Sequence, residues 1–347
     1  GKQALEEGRL ARTTGANKQA LANCLRQCFR TIGNPPRVKL SSVTYTHDAY
    51  TMTHRLLKTL WKDDMELGIN LGYVRKQRGN PQGRSFAEAL QLCRDAGFTQ
   101  LDYLSELGDD WEQIAHQRHE EIERQGLVVH QSHCPFFRYQ QDGAGRFAQI
   151  APRAVRAAAI LGAQFLVLHA DEYRVTDRFE QAEILNATYD YLAPIVDLAK
   201  EQGVRIAVEN LFEDGFGPQV NGRSRYTSTI EELLAVIDRF NDPVVGCCWD
   251  FGHARCSYGD GQLAALQQVG SRLYCTHVHD NTHNKDLHLP PFFGGTDWEA
   301  HMRYLRDSAY SGNFTYEFVY GSIPDALLPT YLNVAQQTGR YLLSLAQ

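Results

Sequence analysis

Short apolar runs alternate with longer amphipathic stretches along the chain from Met65 onward. Eight of the apolar runs have the length and the β-branched and aromatic content of buried strands. They are residues 68–74, 98–104, 127–133, 164–170, 204–210, 244–250, 272–280 and 313–320. Apolar positions recur at helical spacing in residues 86–97, 153–162, 182–203, 229–240 and 297–312. Eight β–α alternations predict an α/β protein with a parallel sheet, and eight strands close a (β/α)₈ TIM barrel.

Local signals support these elements. Ser228 or Thr229 is placed to cap the helix over residues 229–240, and Asp297 is placed to cap the helix that we expect to end at Gly312. A glycine separates helix from strand four times, at Gly97, Gly126, Gly162 and Gly203. The chain has no GxGxxG motif after the first strand and no phosphate-binding P-loop, so a nucleotide-binding open sheet is disfavoured.

Residues 1–64 differ from the rest of the chain. They hold eleven basic and five acidic residues, a net charge of +6, and show no sustained apolar period. We predict a poorly structured N-terminal extension followed by a barrel domain over residues 65–347. An Arg-rich, acid-poor targeting peptide is the alternative for this segment.

The bulk composition narrows the class of protein. The 347 residues are 43% hydrophobic and 22% charged, which is ordinary for a globular protein. No apolar run is long enough to cross a bilayer, and we expect no membrane partner. The eight cysteines form no CxxC pair, which favours free thiols and a cytoplasmic location. Residues 65–347 carry a net charge of −12, which disfavours a nucleic-acid partner; a homo-oligomer stays open.

Ionisable residues stand at the C-terminal ends of six predicted strands. In strand order they are His133, His169, Glu209, Asp250, His277 and Glu317. The C-terminal ends of barrel strands converge on the face where active sites form. Burial of each of these groups without a partner would cost several kcal/mol of folding free energy, about 2–7 kcal/mol for a polar group. Mixed carboxylate and imidazole ligands suit Mn²⁺, Zn²⁺, Co²⁺ or Fe²⁺, and suit the oxygen-preferring Mg²⁺ less well.

More candidate residues follow strands six and seven. The sequence "WDFGH" places His253 three residues after Asp250, and "THVHD" places His279 on the same strand face as His277. Asp286 and His288 lie beyond strand seven in "THVHDNTHNKDLHLP", residues 276–290. We interpret this stretch as two layers, with His277 nearest the metal. The chain has no GxSxG elbow, which disfavours nucleophilic serine chemistry.

Four motifs together resemble the xylose isomerase-like TIM-barrel superfamily, over roughly residues 65–345. They are "VEN" after strand five, "WDFGH" after strand six, "HVHDN…DLHLPP…DW" after strand seven and "YEF" in strand eight. The superfamily includes sugar phosphate isomerases and epimerases, inosose dehydratases and isomerases, ketohexose 3-epimerases and the endonuclease IV family. The resemblance therefore implies a metal-dependent enzyme on a TIM barrel.

The resemblance also implies roles for individual residues. The principal metal ligands would be Glu209, Asp250, His277 and Glu317, and the two glutamates would also move the proton. The resemblance places His253 toward the substrate oxygens or a second metal, and we expect His279, His169 and His133 to bind substrate as well. A second metal would be held by His253, Asp286 and His288. In ketohexose epimerases an arginine follows the strand-seven histidine by six residues, whereas this chain has His283 there.

We therefore expect a divalent-metal-dependent isomerase or epimerase of a small sugar or polyol, acting by proton transfer next to a carbonyl. An inosose dehydratase-type lyase is an alternative on the same site. The other alternative is an endonuclease IV-like enzyme that cleaves DNA at abasic sites with three zinc ions, whose ligand pattern also maps onto His133, His169, Asp286 and His288. The stretch "SELGDDWEQ" after strand two is acidic, which disfavours DNA there.

Overall fold

The computed structural model describes residues 65–76, 83–135, 144–170, 180–213, 223, 225–282, 285–318 and 323–346. The predicted N-terminal extension, residues 1–64, lies outside the described residues. His283 also lies outside them, so its predicted contact with substrate or solvent stays a prediction.

Eight parallel strands form the centre of the described chain. They are β1 (Leu67–Asn70), β2 (Gln100–Asp102), β3 (Val128–His133), β4 (Phe165–Leu168), β5 (Arg205–Glu209), β6 (Val245–Asp250), β7 (Leu273–His277) and β8 (Phe314–Tyr316). Their order is β7-β6-β5-β4-β3-β2-β1-β8. A parallel bridge between Val278 and Tyr316 joins the two ends of the sheet, with Val278 N donating to Thr315 O at 2.8 Å. The predicted TIM barrel is confirmed.

Helices connect successive strands and pack around the barrel. They are α1 (Leu71–Arg75), α2 (Phe86–Asp95), α3 (Trp111–Arg124), α4 (Ala144–Ile160), α5 (Gln181–Gln202), α6 (Ile230–Phe240), α7 (Phe251–Tyr258), α8 (Gln262–Val269), α9 (Trp298–Asp307) and α10 (Leu328–Leu345). The core lies between helices and strands, where Leu166, Val208 and Trp249 are fully buried. No helix in this described part is both long and apolar enough to cross a membrane.

Several predicted boundaries were wrong, and three of them concern elements next to the candidate site or to its loops. The first strand ends at Asn70, because the Asn70 side chain accepts from Gly72 N and starts α1 within the predicted strand. Strand seven ends at His277 instead of residue 280. The helix predicted to end at Gly312 stops at Asp307, since Ala309 adopts a positive φ of 53°.

Predicted caps agree well with the structure. Thr229 caps α6 by accepting from Glu232 N, and Asp297 caps α9 by accepting from Ala300 N. Gly203 ends α5 in the left-handed conformation, with a φ of 72°, which leads directly into β5. That conformation is costly for residues with a Cβ, so the glycine fixes where the helix turns back into the barrel.

Polar side chains fill part of the barrel interior below the strand ends. Thr315 Oγ1 donates to Gln131 Oε1 at 3.1 Å, and Thr276 Oγ1 donates to Asn313 O at 2.9 Å. A small apolar cluster lies deeper, formed by Phe165, Val167, Ala207, Cys248 and Cys275. The interior is therefore packed, and the open space for chemistry lies at the C-terminal ends of the strands.

Candidate metal centre

Four side chains meet at the C-terminal ends of neighbouring strands. Glu209, Asp250 and His277 are the last residues of β5, β6 and β7, and Glu317 directly follows β8. One donor atom from each lies within 4.8 Å of the others, and all four residues are buried. His277 Nδ1 lies 3.1 Å from Glu209 Oε1 and 3.2 Å from Glu317 Oε2. We call these four residues the central group; their spacing allows one ion to contact all of them.

The other oxygen of Glu209 faces two more histidines. Glu209 Oε2 lies 3.2 Å from His133 Nε2 and 3.3 Å from His169 Nε2. The donor atoms of these three residues, which we call the inner group, also lie within 4.8 Å of one another. Substrate binding by His133 and His169 stays a prediction, and their positions equally suit metal ligands. Glu209 is thus common to both groups.

A third set of donor atoms lies on the side of Asp250. His253, His279, Asp286 and His288, the outer group, place one donor atom each within 4.8 Å of the others. His288 Nε2 lies 2.9 Å from Asp286 Oδ2, and His279 stacks on His288 with ring centroids 4.0 Å apart. From the sequence we expected His253, Asp286 and His288 to form a second metal site and His279 to bind substrate. The structure brings all four residues together.

The loop that carries Asp286 and His288 is held by a single buried carboxylate. Asp280 Oδ1 accepts from Asn281 N at 3.0 Å and Thr296 N at 3.1 Å. Asp280 Oδ2 accepts from Phe292 N at 3.1 Å and from the Trp298 indole at 3.0 Å. Because one side chain ties both ends of the loop, the loop folds back over the site. Nothing in the sequence indicated this role of Asp280.

Two residues that sequence reasoning missed orient the ligands on β6 and α7. Asn210 donates from Nδ2 to Asp250 O at 3.0 Å and accepts from Asp250 N at 2.7 Å. Phe212 stacks on His253 with ring centroids 4.9 Å apart. Asn210 is the last residue of the "VEN" motif. The motif therefore drew attention to this position, but it did not indicate that Asn210 binds the backbone of Asp250. The ring of Tyr73 lies beside that of His288, with centroids 5.5 Å apart, and nothing in the sequence indicated this contact.

The electrostatics of the cluster favour a bound cation. Burial alone would raise the pKa of Glu209, but His277 and the neighbouring histidines hold that pKa well below its usual value. Burial would lower the pKa of His277, and the charges of Glu317 and Glu209 raise it well above normal. His277 Nδ1 and His279 Nδ1 have no hydrogen-bond partner within the described residues. Buried ring nitrogens beside carboxylates fit a divalent ion, which would replace the protons that otherwise balance those charges.

Metal binding is expected to release protons. Burial lowers the pKa of His288, but Asp286 and Glu317 outweigh it and raise that pKa to about 9. Below pH 9 the metal-free ring therefore carries a proton that an ion in the outer group must displace, so the apparent affinity of that group should rise between pH 6 and pH 9. Calorimetric titration with Zn²⁺ in buffers of different ionisation enthalpy measures the released protons. An affinity that does not change over this pH range would contradict the expectation.

The Gly252→Ala variant is expected to displace His279. An added Cβ at Gly252 would lie 1.9 Å from His279 Cε1, and His279 Nε2 now lies 2.9 Å from Asp250 Oδ1. Overpacking of this kind costs about 1–3 kcal/mol of unfolding free energy. Thermal denaturation and Zn²⁺ titration measure the two effects. Gly261→Ala is the matched control, because its Cβ would meet nothing nearer than 4.0 Å; equal behaviour of the two variants would disprove the clash.

The sequence matches one protein family over most of its length. Residues 90–336 match the family described as the xylose isomerase-like TIM barrel. A curated relative, the uncharacterized protein y4fM of Sinorhizobium fredii (strain NBRC 101917 / NGR234), is 28% identical over 261 residues, which cover 66% of this chain and 79% of the relative. The family match includes the central group and the loop held by Asp280.

Solved structures with the same fold include sugar-related proteins. A D-psicose 3-epimerase in the presence of D-fructose superposes with a TM-score of 0.64 at 16% identity, over 80% of this chain and 99% of that chain. The IOLI protein with a bound zinc atom superposes with a TM-score of 0.62 at 18% identity, over 81% and 98% of the two chains. At these identities the similarity shows a common fold.

Proposed function

The chain belongs to the xylose isomerase-like TIM barrel family, and we propose that it is a divalent-metal-dependent isomerase or epimerase of a small sugar or polyol. One observation carries the proposal: Glu209 and Glu317 each place a carboxylate oxygen next to His277 Nδ1, at 3.1 and 3.2 Å. Two buried glutamates beside a cation site are suited to moving a proton on a hydroxy-carbonyl substrate. The epimerase and zinc-bound proteins of the same fold support this choice.

The chain's own residues would perform the proton transfer. Glu209, Asp250, His277 and Glu317 would hold the ion. A divalent cation bound there supplies a Lewis acid that polarises the substrate carbonyl and neutralises the charge that develops on its oxygen. Glu209 or Glu317 accepts the proton from the carbon next to the carbonyl, which leaves an enediolate.

The fate of the enediolate determines the product class. If the opposite glutamate is protonated and delivers its own proton to the other face of the same carbon, the product is an epimer. If the first glutamate delivers the proton that it accepted to the adjacent carbon, the product is an isomer. Loss of a β-hydroxyl gives the dehydratase outcome. His253 and His279 lie next to Asp250 and would contact substrate oxygens. The common step in all three outcomes is removal of a proton from carbon.

Exchange with solvent deuterium tests that common step. Purified protein is incubated in D₂O with keto-sugars, aldo-sugars and inososes, with and without Mn²⁺, and the products are examined by mass spectrometry and NMR. We expect deuterium at a carbon adjacent to the carbonyl, only when metal is present. Glu317→Gln serves as the matched catalytic variant and should lose the exchange. An absence of exchange with every substrate class would reject the proposal.

The inner and outer groups favour a second candidate function. With the central group they offer three sets of ligands around Glu209 and Asp250, as expected of a three-zinc enzyme that cleaves abasic-site DNA. Against this candidate, the loop after β2 is acidic: the Asp109 side chain is fully exposed, and the Glu106 carboxylate is bound by Arg75 and Arg118. An acidic loop next to the site opposes the approach of a phosphate backbone.

The number of bound ions separates the two candidates. The sugar proposal predicts one tightly held ion per chain after dialysis, and the DNA proposal predicts three. Elemental analysis of the purified protein gives this number, and an assay with an oligonucleotide that contains one abasic site gives the activity. Three zinc ions together with cleavage of that oligonucleotide would replace the sugar proposal with the endonuclease.

A further inference from the structure

A buried carboxylate on β2 lies directly behind His277. Asp102 is the last residue of β2 and is fully buried, like His277. Asp102 Oδ2 lies 3.2 Å from His277 Nε2. Asp102 belongs to none of the ligand groups formed by the described residues. It therefore contacts the site only through the far side of the imidazole ring.

The two nitrogens of His277 face different environments. Nδ1 points to the oxygens of Glu209 and Glu317, and Nε2 points to Asp102. A neutral imidazole carries one N–H, and an ionised carboxylate can only accept a hydrogen bond. With Asp102 behind the ring, the favoured neutral tautomer has its proton on Nε2 and a free lone pair on Nδ1, which is the form that binds a metal ion.

The position of Asp102 is itself fixed. Asn70 Nδ2 donates to Asp102 Oδ2 at 3.0 Å, and Asn70 is held as the N-cap of α1. Asp102 Oδ1 is buried without a hydrogen-bond partner in the described part of the chain. A buried carboxylate with one amide donor is poorly compensated. His277 Nε2 is likewise buried without a hydrogen bond in the described part of the chain. It lies 3.2 Å from Asp102 Oδ2, and a proton on this nitrogen would compensate the charge of the carboxylate.

We propose that Asp102 is a positioning residue that sets the tautomer and the ring orientation of His277, and so prepares Nδ1 to bind the central metal ion. His133 supports the same orientation from one face, with its ring parallel to that of His277 within 13° and the centroids 5.5 Å apart. The inference rests on the proposed metal site, and extends it to a strand that supplies none of the ligands.

The Asp102→Asn variant tests the proposal. The amide keeps the size of the side chain but loses its charge, and metal affinity is expected to fall by about 10- to 100-fold, as is typical for residues that orient a metal-bound histidine. Competition with a chromophoric chelator for Zn²⁺ measures this affinity. Glu232→Gln is the matched control, because it removes a carboxylate that is 2% exposed, bound by Arg223 and outside the ligand groups. The control should keep the affinity of the wild-type protein.

NMR of the histidine nitrogens provides a readout that a purely structural role would not change. In the zinc-loaded wild-type protein, labelled with ¹⁵N-histidine, His277 should show a protonated Nε2 and a metal-bound Nδ1. Binding through Nε2, or a proton on Nδ1, would overturn the inference even if Asp102→Asn fails to fold. Failure of the wild-type protein to bind Zn²⁺ would overturn the metal-dependent function as well. If the wild-type protein binds Zn²⁺ tightly and Asp102→Asn binds it with equal affinity, the role of Asp102 is rejected while the metal site itself stands.

Discussion

Replacing Glu209 with Gln is expected to remove both metal binding and activity. Glu209 Oε1 lies 3.1 Å from His277 Nδ1, and Glu209 Oε2 lies within 3.3 Å of His133 and His169. An amide retains the shape of the side chain but cannot act as an anionic ligand or as a base. We expect turnover to fall by about 10³-fold or more, within the range for loss of a general base. Deuterium exchange and metal analysis measure the two losses.

The buried Glu232→Gln variant is again the control for this substitution, since Glu232 is as buried as Glu209 and binds Arg223 instead of histidines. It should keep full turnover even if its melting temperature falls. If Glu209→Gln retained a full complement of metal, Glu209 would not be the ligand common to the central and inner groups. If it also retained deuterium exchange, Glu317 alone would carry the proton.

The barrel could be predicted because each strand is marked locally. β5 and β6 are short apolar runs, and each ends in an ionisable residue, Glu209 or Asp250. Thr229 and Asp297 cap their helices at the predicted positions. The first strand was predicted too long because Asn70 can either continue a strand or cap a helix, and only the contact with Gly72 decides between them. Strand position thus follows from composition, whereas strand ends depend on side-chain contacts.

The central group could be predicted because barrel geometry brings equivalent strand ends together. The residues around it could not, because their contacts cross the barrel. Asp102 lies in "QLDYL", which has no signal for a functional carboxylate, and it contacts His277 across 175 positions of sequence. Likewise, Asp280 accepts from Thr296 and Trp298 through a loop whose path the sequence does not specify.

For the histidines too, the sequence predicted the position of each residue but not its contacts. His133 and His169 were predicted at the mouth of the barrel on the basis of strand position alone, and the structure places them there. Whether each contacts an ion or a substrate depends on the neighbouring donor atoms. Both histidines contact Glu209 Oε2. Strand periodicity alone cannot predict these contacts. Ligand number is therefore the property that the structure adds to the sequence, and it is the property on which the two candidate functions differ.

His277→Ala and His288→Ala are expected to differ sharply, because the two histidines occupy different layers. His277 is fully buried between Glu209 and Glu317, so its loss should weaken the tightest metal binding by more than about 100-fold, the upper range for residues that only orient ligands. His288 lies in the loop and contacts Asp286 and the Glu317 carbonyl. Its loss should leave that ion bound and lower turnover.

Metal content after dialysis and the rate of deuterium exchange distinguish these effects, with His116→Ala, an exposed substitution on α3, as the control. In a one-ion sugar enzyme, only His277→Ala becomes metal-free. In a three-ion enzyme, His288→Ala should also lower the metal content after dialysis, because removing one of the four ligands of the outer group weakens its hold on an ion. Unchanged metal content in His277→Ala would refute the central group as the principal site, since His277 Nδ1 lies within 3.9 Å of all three carboxylates in that group.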